Sequence, residues 1–250
     1  MAGHKTTALV TGASAGLGAE FCRQLADRCD VIIAVARRGD RLAQRREELA
    51  GRVELHAIEA DLTHVEGVAR TMEALRQLGP VDYLVNNAGF STHGSFPDLA
   101  IDGQRAMVSL HIDATITLCR AAIPFMRERG GGHIINVSSV GAFLPGRGLA
   151  VYGASKAFLN YFSLALQEEL AGTGIAVQAL CPGFTHTEFH QDLEAQGFDK
   201  SQVPEQMWME ATEVVTASLA ALGSGKVLVV PGEGNIELAR AGCQRLLDAL

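Results

Sequence analysis

Short apolar runs rich in β-branched residues alternate along this chain with longer segments whose apolar residues have helical spacing. Such alternation is typical of βα units, in which each strand of a parallel sheet is buried between two layers of helices. The sequence therefore predicts a doubly wound α/β fold. We expect seven largely buried parallel strands, at residues 7–10, 31–35, 53–58, 81–85, 133–137, 176–180 and 227–230.

The composition fits one folded domain over residues 1–250. Hydrophobic residues make up 48% of the 250-residue chain and charged residues 20%, which excludes the composition of a disordered protein. The net charge of −7 disfavours nucleic acid as a partner, because polyanions bind basic surfaces. The chain has neither a leader-like start nor an uninterrupted apolar run of about 18 to 20 residues, so we expect a cytoplasmic protein without membrane contact.

Two further features are informative mainly for what they exclude. The five cysteines are scattered without CxxC spacing, which predicts reduced thiols and neither a disulfide framework nor a zinc site. His186 and His190 stand four residues apart but lack a convincing third ligand, so we predict no metal.

Residues 186–209 mix apolar and charged side chains without a clear period, and we predict that they form a lid over a site.

The first predicted strand is followed by a glycine-rich turn, Thr11-Gly12-Ala13-Ser14-Ala15-Gly16-Leu17-Gly18, in which a helix begins. Glycines allow a tight turn and the close approach of a pyrophosphate to a helix N-terminus, where N–H groups and the helix dipole favour anions. The alternative is a tight turn that only packs against the sheet. By itself, the pattern predicts a dinucleotide site only weakly.

The second predicted strand ends in Arg37 and Arg38, about 20 residues after Gly18. An acidic residue at this place binds the ribose 2′-hydroxyl of NAD, whereas an arginine suits the 2′-phosphate of NADP. A guanidinium binds phosphate through forked hydrogen bonds, and we therefore predict NADP(H) as the cofactor. Alternatively, the two arginines belong to a solvated charged helix face together with Arg41, Arg45 and Arg46.

Tyr152 and Lys156 lie four residues apart in a segment predicted to be a long helix, so their polar ends can reach the same place. A nearby ammonium group favours phenolate, and we expect Lys156 to lower the pKa of Tyr152 towards neutrality. Tyr152 would then act as a general acid or base, with Ser139 holding a substrate oxygen beside it. The alternative is a partly buried ring next to a solvated lysine.

The order of these motifs along the chain resembles the short-chain dehydrogenase/reductase family. The resemblance extends from about Thr7 to the C-terminal end and rests on motifs at the expected strand ends: TGxxxGxG at 11–18, NNAG at 86–89, Ser139, YxxxK at 152–156 and Pro182-Gly183. It implies a Rossmann-like three-layer domain and an oxidoreductase that interconverts ketones and secondary alcohols by hydride transfer.

The resemblance also assigns roles to individual positions. Asn86 would brace the sheet, and Lys156 would bind the nicotinamide ribose and lower the pKa of Tyr152, the proton donor and acceptor. Ser139, at the family's usual separation from Tyr152, would orient the substrate oxygen. The phosphates, adenine, ribose and nicotinamide of the cofactor would contact Gly12, Ser14, Gly16, Leu17, Gly18, Asp61, Leu62, Asn87, Ala88, Gly89, Pro182, Gly183, Thr185 and Thr187.

One position departs from the family pattern. Where the family commonly has an asparagine that holds a proton-relay water, this chain has His111, in Leu110-His111-Ile112. An imidazole can donate and accept protons, and its ordinary pKa near ~6.5 would add a titration in the working pH range. We therefore include His111 among the candidate catalytic residues. The alternative is a hydrogen-bonded core histidine without a catalytic role.

The substrate and the assembly are less constrained. Phe90, Phe143 and Phe184 follow predicted strand ends and indicate an apolar pocket for a hydrophobic carbonyl compound. A 3-oxoacyl thioester is an alternative substrate, and a non-catalytic dinucleotide-binding regulator is an alternative function. Relatives of this family form dimers or tetramers through the helix that carries the tyrosine, so the resemblance implies a homo-oligomer with its interface at residues 149–170.

Overall fold

The structure is a computed structural model and describes residues 5–250; residues 1–4 of the domain predicted over 1–250 lie outside the described residues. The strands are β1 (Thr7–Thr11), β2 (Val31–Ala36), β3 (Glu54–Glu59), β4 (Tyr83–Asn86), β5 (Gly132–Val137), β6 (Ile175–Leu180), β7 (Phe184–Thr185), β8 (Trp208–Met209) and β9 (Leu228–Val229). The α-helices are α1 (Gly16–Leu25), α2 (Gly39–Glu48), α3 (Val65–Leu78), α4 (Ile101–Val108), α5 (Ala114–Arg129), α6 (Ala150–Glu169), α7 (Glu188–Ala195), α8 (Ala211–Ala221) and α9 (Glu233–Asp248).

A seven-stranded parallel sheet in the order β3-β2-β1-β4-β5-β6-β9 confirms the predicted fold class and all seven predicted strands. Strand order reverses between β1 and β4, and in open α/β sheets ligands bind in the crevice at such a reversal, at the carboxyl ends of the strands. The sheet thus places the loops after β1, β4 and β5 around one crevice.

The predicted burial of the strands is wrong for β3. Leu55 is buried, but Glu54, Ala57 and Glu59 are exposed. The reason is position: β3 is the edge strand of the sheet and pairs only with β2. An edge strand lacks a neighbour on one side, so part of it stays exposed and can carry charged side chains such as Glu54 and Glu59.

The core lies on both faces of the sheet. On one face, Phe21 and Leu25 of α1 pack with Val214 and Leu219 of α8. On the other face, a second cluster includes Leu118, Ile123 and Met126 of α5 and Leu166 of α6. The sheet is therefore the middle of three layers, as doubly wound folds require.

The helical stretch Ile101–Arg129, which contains α4, a π-helical turn and α5, is long and apolar enough to cross a membrane by length and composition alone. In this fold α5 packs against α3, β4 and β5 within the second core cluster. A core helix of a folded domain meets the same length and composition criteria.

The predicted lid, residues 186–209, folds as α7, two short 3₁₀ turns and β8. Strand β8 pairs in parallel with β7, which directly follows Pro182 and Gly183 at the end of β6. This pairing attaches the segment at both of its ends to the carboxyl edge of the central sheet.

Candidate active site

The glycine-rich turn after β1 has a shape that only glycine permits at several points. Gly12 and Gly16 have φ values of +66° and +53°, in the left-handed region that side chains disfavour. A Cβ on Gly18 would lie 2.3 Å from the Gly12 carbonyl oxygen. This close packing brings the first turn of α1 against β1. Its N–H groups, which have no partners within a helix, can bind the phosphates of a dinucleotide.

The loop after β4 holds the glycine-rich turn in place. Asn87 donates from Nδ2 to the Thr11 carbonyl at 2.9 Å, and the N–H groups of Asn87 and Ala88 donate to Thr11 Oγ1 at 2.9 and 3.0 Å. Asn86 instead donates to Asn136 of β5 at 2.9 Å, which braces two neighbouring strands as expected. The two asparagines thus fix the crevice from both sides of β4.

A cavity of about 500 Å³ lies beyond the ends of β2 and β3 and is lined by Arg37, Asp61 and Arg70, among others. Burial opposes ionisation of Asp61, but hydrogen bonds from Thr63 and the nearby Arg37 outweigh it and lower the pKa of the carboxyl group. Asp61 is therefore an anionic acceptor at this cavity. The side chain of Leu62 is buried in the core, so only its backbone can face a ligand there.

The second arginine, Arg38, points to the glycine-rich turn. Its Nε and Nη2 atoms donate to Ser14 Oγ at 3.3 and 3.1 Å, and its Nη1 contacts the Glu188 carboxylate at 2.7 Å. Arg37 and Arg38 thus lie at the carboxyl end of β2, beside the cavity and the turn respectively. This placement fits a cofactor with a phosphate on its adenosine ribose.

Ser139, Tyr152 and Lys156 come together at the end of β5. Ser139 caps the short turn Val140–Phe143, with Oγ accepting from the Gly141 N–H at 3.0 Å, and it is close enough to the Tyr152 hydroxyl to affect the pKa of that group. Lys156 Nζ lies 5.8 Å from the centre of the Tyr152 ring and donates to the Val137 carbonyl at 2.8 Å. The two hydroxyl groups can therefore contact one substrate oxygen.

The expectation that Lys156 lowers the pKa of Tyr152 is wrong for this arrangement. Burial raises the pKa of Tyr152 to about 12, although the hydrogen bond with Ser139 acts in the opposite direction. Burial also lowers the pKa of Lys156 to about 7. Removing a charged group from water favours its neutral form, so both residues are shifted towards neutrality. At neutral pH Tyr152 is consequently protonated and can donate its proton.

His111 is buried in the π-helical turn Ser109–Asp113 between α4 and α5. The Phe90 N–H donates to Nε2 at 3.3 Å, which makes Nε2 an acceptor and leaves the proton on Nδ1. Nδ1 then donates to Ser155 Oγ at 2.9 Å, and Ser155 in turn donates to the Tyr152 carbonyl at 2.8 Å. Both nitrogens are used, and His111 connects the loop after β4 to the turn of α6 that carries Tyr152.

The expected titration of His111 in the working pH range is wrong. Burial, together with the charge of Lys156, moves the pKa of His111 well below its usual value. The imidazole is therefore neutral at physiological pH. Sequence reasoning missed Ser155, although its position directly before Lys156, one turn after Tyr152, placed it on the same helix face.

An aromatic cluster, formed mostly by the lid, lies at this end of the sheet. Phe189 is the member of this cluster that contacts Tyr152, with ring centres 6.0 Å apart. The cluster continues through His190, Trp208, Phe184 and Phe198 and ends at His93, with ring separations of 5.1 to 6.1 Å. Phe189 thus connects the Tyr152 ring to a continuous series of aromatic contacts.

The predicted substrate residues have different surroundings. Phe184 belongs to the aromatic cluster, and Phe90 packs near His111 with ring centres 6.3 Å apart. Phe143 lies in the turn after Ser139, where its carbonyl packs against Gly242 of α9. Sequence spacing gave no signal for His93 and Phe198, because they meet only when the lid folds over the loop after β4.

Thr185 and Thr187, at the start of the lid, contact a lid histidine and the glycine-rich turn respectively. Thr187 packs against the glycine-rich turn, where a Cβ on Gly16 would lie 3.2 Å from its Cβ. Thr185 is buried, and its carbonyl accepts a hydrogen bond from His190 Nδ1 at 2.8 Å. Within residues 5–250, no group of three or more His, Cys, Asp or Glu side chains is arranged to hold a metal ion.

Comparisons with known proteins agree with this geometry. The family model for short chain dehydrogenase matches residues 6–197. A probable NADP-dependent dehydrogenase of Haemophilus influenzae is 38% identical over 201 residues, covering 76% of this chain and 77% of that protein. A short-chain dehydrogenase from Sphingobium yanoikuyae, solved in complex with NADPH, has a TM-score of 0.84 and 32% identity, covering 98% of this chain and 96% of its own.

A second solved structure is the bulky-bulky ketone specific alcohol dehydrogenase from Comamonas testosteroni. It is similar to this chain with a TM-score of 0.80 and 30% identity, covering 98% of this chain and 94% of its own. The chain therefore belongs to the short-chain dehydrogenase/reductase family. It is an oxidoreductase with the Rossmann-like fold of that family.

Proposed function

We propose that this protein is an NADP(H)-dependent oxidoreductase that interconverts hydrophobic ketones and secondary alcohols. The observation that carries the proposal is that Ser139 interacts with the Tyr152 hydroxyl while the Tyr152 ring packs against Phe189 of the lid. The similarity to a ketone-specific alcohol dehydrogenase and to a relative solved with NADPH supports both the chemistry and the cofactor.

Each residue of the site has a separate role in the proposed reaction. NADPH supplies the hydride when it is bound. Ser139 holds the carbonyl oxygen by a hydrogen bond, and Tyr152 gives its proton to that oxygen during reduction and takes one back during alcohol oxidation. Lys156 binds the cofactor ribose beside Tyr152, while Arg37 and Arg38 bind the 2′-phosphate. The aromatic cluster excludes water and holds the apolar part of the substrate.

We also propose a homodimer or homotetramer that uses α6. Tyr161 and Leu164 lie three residues apart on this helix with 77% and 42% of their surface exposed, so they form an exposed apolar pair. Contact between two copies would cover them.

The direct test follows NADPH oxidation at about 340 nm with a panel of small and bulky aryl and alkyl ketones, with NADH in parallel. We expect turnover with NADPH and higher kcat/KM for bulky aryl ketones than for small alkyl ones, because the lid cluster buries aromatic surface. A 3-oxoacyl thioester in the same panel tests the alternative substrate. Tight NADPH binding without turnover of any compound would contradict the proposal and favour a regulator.

A second test concerns His111 as a positioning residue. We expect His111→Asn to keep most of the activity, because an amide can accept from Phe90 N–H and donate to Ser155. His111→Ala should lose about 10-fold to 100-fold in kcat, since it leaves both partners unpaired at the Tyr152 turn. Because His111 is neutral, the pH profile of kcat should be the same for wild type and His111→Asn. Full activity of His111→Ala, or a wild-type titration absent from His111→Asn, would contradict this role.

A further inference from the structure

Glu188, the first residue of α7, links the lid to the residues assigned to the 2′-phosphate. Its Oε2 atom accepts a hydrogen bond from Arg38 Nη1 at 2.7 Å, and its Oε1 atom lies 3.9 Å from Arg41 Nη2. Both carboxylate oxygens thus face guanidinium groups of the segment that follows β2. The contact joins positions 150 residues apart in the sequence, and no sequence motif indicated it.

The contact occupies a donor that a phosphate would need. Arg38 donates from Nε and Nη2 to Ser14 Oγ in the glycine-rich turn. Its remaining terminal nitrogen, Nη1, donates to Glu188. Phosphate and carboxylate both bind guanidinium through the same forked donors. Two anions on one arginine also repel each other, and this repulsion is strongest where water is partly excluded.

We propose that Glu188 competes with the 2′-phosphate of NADP(H) for Arg38 and thereby limits the preference of this enzyme for NADP(H) over NAD(H). The inference rests on the proposed role of Arg38 in binding the 2′-phosphate. Glu188 is then a specificity-determining residue supplied by the lid. It lowers the affinity for ligands that carry the 2′-phosphate and does not change the affinity for ligands that lack it.

A purely structural role for Glu188 makes a different prediction. A carboxylate in the first turn of a helix is stabilised by the helix dipole, and the side chains of Arg38 and Glu188 are 46% and 37% exposed, as in an ordinary surface ion pair. In that case the loss of the charge would loosen α7. It would change the affinity for phosphorylated and unphosphorylated adenosine ligands equally, so a ratio of affinities separates the two roles.

The experiment measures binding of adenosine 2′,5′-bisphosphate and of adenosine 5′-monophosphate by calorimetry, without substrate or turnover. We expect Glu188→Gln to bind the bisphosphate about twofold to fivefold more tightly than wild type does, the range that corresponds to a surface ion pair. Binding of the monophosphate should not change. The matched control is Glu194→Gln, which breaks a Lys200 ion pair of 3.2 Å near the other end of the same helix.

Arg38→Ala is measured alongside and should lose most of the preference for the bisphosphate. If the preference survives in Arg38→Ala, Arg38 is not the phosphate ligand and the inference is overturned, whereas ketone reduction is judged separately by the NADPH assay. If Arg38→Ala behaves as expected but Glu188→Gln binds the bisphosphate equally or less tightly, the competition alone is overturned. An identical gain in Glu194→Gln would also overturn it.

Discussion

Tyr152→Phe is expected to lower kcat for ketone reduction by at least about 10³-fold while leaving NADPH binding close to that of wild type. The change removes one hydroxyl group and no ring contact, so the packing against Phe189 is kept. Without that hydroxyl, Ser139 can still bind the substrate oxygen, but the proposed proton donor is lost. Single-turnover measurement of NADPH oxidation, with the substrate that gives the highest wild-type rate, tests the expectation.

Tyr83→Phe is the matched control for this variant. Tyr83 is the first residue of β4, at the amino-terminal end of the strand and so away from the site, and its ring stacks on His133 with centres 5.0 Å apart. It makes the same chemical change in a partly buried tyrosine, and its kcat should equal that of wild type. Retention of more than about a tenth of the activity in Tyr152→Phe would rule out Tyr152 as the proton donor.

The fold and the site core could be predicted because the responsible signals are local. Apolar runs located the strands, and glycines at 12, 16 and 18 marked a turn whose backbone shape excludes other residues. Tyr152 and Lys156 share one helix face, so their spacing alone places them together. These features depend on neighbouring residues and need no knowledge of how distant segments meet.

The features that the sequence did not predict depend on contacts between distant segments, which local patterns do not encode. The burial of β3 depends on its place at the sheet edge, which is a property of the whole sheet order. Glu188 and Arg38 are 150 residues apart, and their pairing required the lid to fold over the end of β2. The state of His111 depends on the Phe90 N–H and on Ser155, two partners from separate elements.

The pKa values of Tyr152 and Lys156, the proposed catalytic pair, could not be predicted from the sequence for the same reason. The sequence shows that a lysine lies near Tyr152, but it does not show how deeply both side chains are buried. Burial is the largest cause at both residues, and it moves the pKa of Tyr152 to about 12 and that of Lys156 to about 7. A charged neighbour can lower the pKa of a tyrosine only if that neighbour itself stays charged.

The buried lysine gives the second large expected effect, in which activity and stability change in opposite directions. Lys156→Met should lower kcat/KM about 100-fold or more, because the ribose contact beside Tyr152 is lost. At about pH 7 the same variant should unfold with a free energy about 1–3 kcal/mol higher than wild type, since methionine needs no hydration and fills similar space. Loss of the hydrogen bond to Val137 offsets part of this gain.

The pH dependence identifies the cause of that gain. The folded-state pKa of Lys156 is about 7, below its ordinary value of about 10.4, so between these values the unfolded chain binds more protons than the folded one. Wild type therefore gains stability from this residue as pH rises, and the advantage of Lys156→Met should shrink towards about pH 10. Urea unfolding of both proteins at several pH values measures the difference, in which all other titrating groups cancel. The control is Lys226→Met, at an exposed lysine, which should show neither the gain in stability nor its pH dependence. If the stability advantage of Lys156→Met stays constant with pH, packing and not the buried charge produces it.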